Sequence, residues 1–369
     1  MQTQSNSTTY WNNAGPVQDT LDFILTSIDP LMSRQRLMAR VINCIQETDD
    51  TLTYTLQVCS RWQGFKPGQF VTISAEINGI TYKRNYSISS SPERFRQKRQ
   101  ITLTIRGQRD GKVSPNIGQW LKVDDTLEIS AAMGDFICLE AEKQLYTEAQ
   151  RAYSPVALIA AGSGITPIKA MLESFCENRP DHDICLIVHA ANPAQLIFAN
   201  DLKRFTQSLP NLKLSVHFSD KEGFVTQNQL LKDCPDLKDR VLYICGPAPF
   251  MAKINDFAEA AGVPDFRRHQ EAFSSPVAPR KSAGPVTVTF TKTGKTVTSA
   301  NAVSLLELAE RSGLKPKFGC RNGICHECTC QRTQGSLINA LTGNPIPDEQ
   351  TQVQSCISIP TSDVTITNW

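Results

Sequence analysis

The sequence predicts three consecutive modules: a β-barrel, an α/β unit with a parallel sheet, and a small α+β unit built round cysteines. Three observations carry this. Between residues 36 and 140, apolar residues alternate in short runs bounded by turn residues, the period of half-buried strands. Residues 155–161 form a continuous apolar run that meets Gly162-Ser163-Gly164 and then a helix-like stretch, the order of strand, turn and helix in a parallel sheet. Near the end, Cys320, Cys325 and Cys328 stand in C-x4-C-x2-C spacing, with Cys356 alone further on.

Length and composition agree with several soluble modules. A chain of 369 residues exceeds the ~100–200 residues of one ordinary domain. With 40% hydrophobic and 20% charged residues it is globular in composition, and a formal charge of +2 argues against nucleic acid as the main partner. Its twelve cysteines are scattered rather than concentrated. The polar N-terminus shows no basic segment followed by an apolar core, so a reducing, cytoplasmic setting is expected. No stretch approaches the ~18 apolar residues of a membrane span.

In chain order, residues 1–17 are rich in Gln, Ser, Thr and Asn, and 21–28 have apolar residues at helical spacing before Pro30. That short amphipathic helix either covers an edge of the next module or touches a membrane or a partner. Strands are expected at 37–44, 51–58, 70–75, 84–88, 100–106 and 126–130. Arg84 and Tyr86 fall on one face of their strand, followed by Ser87, so a guanidinium can meet a pyrophosphate while a phenol ring lies against a flavin. Arg106-Gly107 opens a loop through Gly111, Lys112, Val113 and Ser114 to a helix at 116–121, either an anion site or an ordinary hairpin.

In the second module, Gly162, Gly164, Thr166 and Pro167 occupy the turn where a dinucleotide pyrophosphate sits, although the full G-x-G-x-x-G is absent. Further strands are expected at 184–189, 212–218 and 241–244, with helices between them. The last ends in Cys245-Gly246-Pro247, where α/β sheets bind ligands, although a buried structural cysteine fits there too. Three prolines, Pro276, Pro279 and Pro285, mark a linker. A hairpin at 286–290 and 295–298, a helix at 304–311 and a final strand at 364–367 frame the cysteine loop.

The cysteine spacing is that of a plant-type [2Fe–2S] cluster, with Gly319 and Gly323 letting backbone N–H groups approach its sulfurs. A structural zinc site is the rival, but it would want a second closely spaced pair. Cys330 reads as a buried thiol rather than a ligand.

Together these residues resemble the ferredoxin–NADP reductase superfamily in the fused form in which a flavin barrel and a pyridine-nucleotide domain precede a plant-type ferredoxin. The resemblance implies an N-terminal extension (1–35), an FAD-binding β-barrel (36–145), an NAD(P)-binding α/β domain (150–274), a linker (275–285) and a β-grasp [2Fe–2S] domain (286–369). Gly323-Ile324-Cys325-His326 and the N-terminal extension make the chain most similar to bacterial reductases that serve fatty-acyl desaturases and other oxygen-activating enzymes. By that resemblance Arg84, Tyr86, Ser87, Arg106 and the 111–114 loop hold the flavin, FAD or alternatively FMN. The residues Gly162, Gly164, Thr166, Pro167, Gly246 and Pro247 meet NADPH or NADH. Ser87, Cys245 and Glu271 lie at the reacting centre with Phe273 beside it, and Cys320, Cys325, Cys328 and Cys356 hold the cluster.

The implied activity is electron transfer from NAD(P)H through flavin to the cluster and on to a redox protein such as a desaturase or monooxygenase. Peripheral membrane contact is compatible with it. A reductase for a ring-hydroxylating oxygenase or a hybrid-cluster protein, and a cluster-based redox sensor, are the alternatives. Two of the family's arginines are replaced, leaving Ala191-Asn192 and Gly223-Phe224-Val225-Thr226, so coenzyme choice stays open. Lys221 is the lysine considered for a 2′-phosphate.

Overall fold

The computed structural model describes residues 16–77, 80–107, 117–141, 154–273, 281–318, 323, 326–340 and 343–367. Helix α1 (Pro16–Ile28) precedes six strands: β1 (Met38–Thr48), β2 (Thr51–Val58), β3 (Phe70–Ile77), β4 (Ile80–Ser87), β5 (Gln100–Arg106) and β6 (Thr126–Ile129). Helices α2 (Pro92–Lys98) and α3 (Ile117–Trp120) interrupt them. The strands pair antiparallel in the order β4-β3-β6-β1-β2-β5, and a bridge between Ile88 and Leu103 closes the two ends into a barrel. Alternate residues such as Tyr54, Leu56, Ile73 and Leu103 fill its core, as period two requires. Helix α2 begins as an N-cap should: the Ser91 hydroxyl accepts from Arg94 N–H, with Pro92 at the first position.

The second module is a five-stranded sheet of β7 (Val156–Ala161), β8 (Ile184–Ala190), β9 (Leu212–Phe218), β10 (Val241–Cys245) and β11 (Arg268–Glu271). All pair parallel in the order β11-β10-β7-β8-β9. Its helices are α4 (Ile165–Asn178), α5 (Ala199–Ser208), α6 (Ser219–Glu222), α7 (Gln227–Asp233) and α8 (Ala248–Ala260). Every residue of β7 is buried, which explains its unbroken apolar run.

The last module contains β12 (Lys281–Phe290), β13 (Lys295–Asn301), helix α9 (Leu305–Arg311), β14 (Thr329–Gln334), β15 (Leu337–Asn339), β16 (Pro345–Ile346), β17 (Gln352–Gln354), β18 (Ser358–Pro360) and β19 (Val364–Ile366). Its main sheet runs β13-β12-β19-β14-β17, with β12 and β19 parallel, and α9 packs Leu305 and Leu308 on that core. This is the mixed sheet and covering helix of a β-grasp. Strand β12 starts at Lys281, inside the stretch read from the sequence as linker.

A polar seam joins barrel and nucleotide sheet. Ser91 N–H donates to Glu173 Oε2 at 2.8 Å, Ser91 Oγ donates to Glu177 Oε1 at 2.6 Å, and Lys169 Nζ donates to Ser89 O at 3.1 Å. Lys169 also pairs with Glu173. Helix α4 therefore starts at the glycine turn and runs along the barrel.

Helix α1 departs from the edge-covering arrangement. Its buried side carries Asp22, while Phe23, Ile24 and Ile28 face solvent. No helix among the described residues is long and apolar enough to cross a membrane.

Candidate active site

Strand β7 ends in a 3-10 turn, Gly162–Gly164, that feeds α4. Gly162 has φ 54°, a left-handed conformation that favours glycine. At Gly164 an added Cβ would lie 2.1 Å from the carbonyl oxygen of Cys245, so only glycine lets the two strand ends meet. No side chain caps the turn or α4, and the Ile165 N–H is taken by the carbonyls of Gly162 and Ser163, so the N–H groups that face an anion are those of the glycine turn itself. Thr166 Oγ1 turns back to donate to Ser163 O at 2.9 Å and braces the turn, and Pro167 lies buried in the first turn.

Beside this turn lies a cavity of about 510 Å³ lined by Gly162, Pro247, Arg106, His189, Phe224 and Lys253, among others. Arg106, from the barrel, is held by Asp50 at 2.8 Å. His189 is half-buried, and its buried Nε2 has no hydrogen-bond partner among the described residues. Burial and the adjoining His217 push its pKa down to about 4, so it is a neutral ring at physiological pH. His217 stacks on it at 5.1 Å and is gripped by Glu222 and Asp233 at 2.7 and 2.6 Å. An uncapped glycine turn, a half-buried imidazole whose Nε2 has no partner among the described residues, and the exposed Phe224 ring suit a dinucleotide.

The second cluster joins two modules. Cys245 and Glu271 face each other in register at the ends of neighbouring strands β10 and β11. Ser87, at the end of β4, donates to Glu271 Oε2 at 3.4 Å. Burial, partly offset by Ser87, pushes the Glu271 carboxyl up to about 8. Burial, and then the Glu271 charge, holds the Cys245 thiol well above its usual range, so it remains protonated. Gly246 follows, where an added Cβ would lie 2.9 Å from the Phe250 ring and 3.1 Å from Ala161 Cβ. Phe273 packs against the nucleotide-sheet core.

On β4, Tyr86 packs against the barrel core, and its phenol is pushed up to about 12 by burial. Arg84 Nη1 donates to Lys83 O at 2.8 Å. Between them Asn85 accepts from Thr72 Oγ1, while its buried Nδ2 has no partner among the described residues. A ring, a cation, an unpartnered amide donor and the Ser87–Glu271 pair fit a flavin. Gly111, Lys112, Val113 and Ser114 lie outside the described residues.

In the last module, Cys328 and Cys356 are buried together with sulfurs 3.1 Å apart, well beyond the ~2.05 Å of a disulfide. Gly323 N–H points at the Cys356 sulfur at 3.3 Å. This donor set fits an iron–sulfur cluster. Cys320 and Cys325 lie outside the described residues. Cys330 belongs to the other core, that of α9 and the main sheet, where burial pushes its thiol up to about 12.

Family models match three domains in this order. Residues 38–138 match the oxidoreductase FAD-binding domain, 158–256 the oxidoreductase NAD-binding domain, and 288–361 the 2Fe-2S iron-sulfur cluster binding domain. The chain belongs to the ferredoxin–NADP reductase superfamily. The reductase is 29% identical to an NADPH oxidoreductase of Mycobacterium tuberculosis, covering 93% of this chain and 87% of that one. It is 28% identical to a glycine betaine monooxygenase reductase subunit of Pseudomonas aeruginosa, covering 90% and 95%. Among solved structures it is similar in fold to phthalate dioxygenase reductase, with TM-score 0.62 and 18% identity over 90% of this chain and 98% of that one. It is an NAD(P)H-dependent oxidoreductase with FAD and a [2Fe–2S] cluster as cofactors.

Sequence reasoning missed several residues of the reductase's cavity. His189, Phe224 and Lys253 line it, whereas Lys221 is not among its lining residues. His189 and Lys253 belong to no motif and Phe224 stands where the family's arginine is replaced; His189 is the next-to-last residue of β8 and Phe224 follows α6, positions where a parallel sheet presents ligands.

Proposed function

We propose that the reductase delivers electrons from a nicotinamide coenzyme to an oxygen-activating partner, as the name of the Pseudomonas aeruginosa relative indicates for that protein, and that it works in the cytoplasm. The observation that carries the reading is the convergence of Ser87, Cys245 and Glu271 beside the Gly162–Gly164 turn, which brings barrel and nucleotide sheet to one point. When bound, the flavin exchanges electron pairs with nicotinamide and single electrons with the cluster.

Each residue then has a task. The N–H groups of the glycine turn hold the coenzyme's pyrophosphate, with Thr166 and Pro167 fixing the turn. Arg84 and the 111–114 loop take the flavin's phosphates, Tyr86 lies against its ring, and Arg106 sits where the barrel meets the coenzyme. Ser87 and the neutral Glu271 hold a proton at a hydrogen-bonded pair near neutral pH. Cys245, a thiol throughout, with Gly246 and Pro247, gives the nicotinamide a dry and uncharged wall. Phe273 backs that wall. Cys320, Cys325, Cys328 and Cys356 hold the cluster, and Lys253 is the cation that a 2′-phosphate on the coenzyme meets.

Anaerobic titration with NADPH and NADH, followed by visible absorbance, tests the assignment. Bleaching of both flavin and iron–sulfur bands is expected. Bleaching of the flavin alone would remove the cysteine assignment, and no response to either coenzyme would remove the whole reading.

A further inference from the structure

We infer that α1 and the turn after it dock the reductase on the surface of an anionic lipid bilayer. The helix is inverted. A helix that covers a domain edge buries its apolar arc and leaves its acid in water. Here Asp22 is 8% exposed, whereas Phe23 is 72% and Ile28 74% exposed, with Leu21, Ile24 and Met32 also open. The reason is a polar tether: Asp22 accepts from Ser33 Oγ at 3.2 Å and from Arg34 N–H, and Asp29 grips Arg40 of β1 at 2.8 Å. These bonds fix the helix with its apolar arc turned outward.

Two features select lipid as the occupant. Around the helix, the hydroxyls of Thr26 and Ser27 donate to the carbonyls of Asp22 and Phe23, each at 2.7 Å, and so offer little to a hydrogen-bonding protein surface. Arg34 and Arg36 stand exposed just past the open Met32 in the turn after the helix, without an ion pair among the described residues. A basic rim beside apolar side chains suits anionic headgroups over an acyl layer. The same rim opposes pairing with a second copy, which would set like charges together across a two-fold axis.

The test is flotation of the full-length reductase with vesicles of phosphatidylcholine, alone or with about a third phosphatidylglycerol. Binding is expected on the mixed vesicles and should weaken with salt. Phe23→Ser with Ile28→Ser should lower it by about tenfold or more. Phe266→Ser, which alters an exposed phenylalanine on the nucleotide module, should leave it unchanged. Ferricyanide reduction by NAD(P)H checks that each variant is intact, so failure of the reductase reading is seen separately. A wild type that stays with neither vesicle, or a double variant that floats as well as wild type, overturns the inference. So does a solution dimer, measured by light scattering, that the double substitution splits.

Discussion

Glu271→Gln isolates the energetic cost of the buried carboxyl between barrel and nucleotide sheet. The group titrates at about 8 in the folded chain against 4.5 for an ordinary glutamate. Between those values the folded state holds a proton that the unfolded state has released, so stability falls as pH rises and levels off above the folded value. One such proton corresponds to a slope of about 1.4 kcal/mol per pH unit, so roughly 2 kcal/mol should be lost from pH 5.5 to 7.5. Glutamine keeps the shape and can still accept from Ser87, but does not titrate. Guanidinium unfolding of the full chain, followed by circular dichroism at several pH values, should therefore show Glu271→Gln gaining about 2 kcal/mol on wild type over that range. Parallel pH profiles for the two proteins would refute the argument.

Three other substitutions probe separate parts. Gly164→Ala forces a Cβ against the Cys245 carbonyl and should cost about 1–3 kcal/mol or more in unfolding free energy, with loss of coenzyme binding by fluorescence titration. Lys253→Ala should raise KM for NADPH about tenfold while leaving KM for NADH nearly unchanged, the signature of a lost contact to a 2′-phosphate in steady-state kinetics. Cys328→Ser should abolish the iron–sulfur absorbance, whereas Cys330→Ser should keep it and lower only the thermal midpoint of the last module.

Much of the fold was legible because one periodicity dominated each module. The expected strands 51–58 and 100–106 are Thr51–Val58 and Gln100–Arg106, and the buried run at 155–161 is β7. The first strand runs on to Thr48, past the expected 44, because β2 pairs with it to the hairpin turn. Helix α2 was overlooked although Ser91-Pro92-Glu93 is a capping signature, since seven residues give too little helical period to stand out. The short strands β15 to β18 were overlooked for a related reason: two or three residues carry no alternation, and β17 and β18 are held by partners distant in sequence. At the site, motifs located the turn, the cysteine and the carboxyl. They did not reveal the 3.4 Å approach of Ser87 to Glu271, which depends on a contact between residues 184 positions apart. For α1, the hydrophobic pattern found the helix but not which side turns inward, because that was decided by Asp22 and Ser33 rather than by apolar residues.

The seam between barrel and nucleotide sheet bears on how such chains can be recombined. Ser87 reaches Glu271, Ser91 reaches Glu173 and Glu177, Lys169 reaches Ser89, and Arg106 lies against Gly162. Each of these ties pairs a residue from one module with a residue from the other, and several involve charges that a mismatched partner would leave stranded in a dry interface. A chimaera that takes its barrel from one reductase and its nucleotide sheet from another must therefore rebuild all of these ties at once. Exchanging the two modules together, as one inherited block, preserves every one of them.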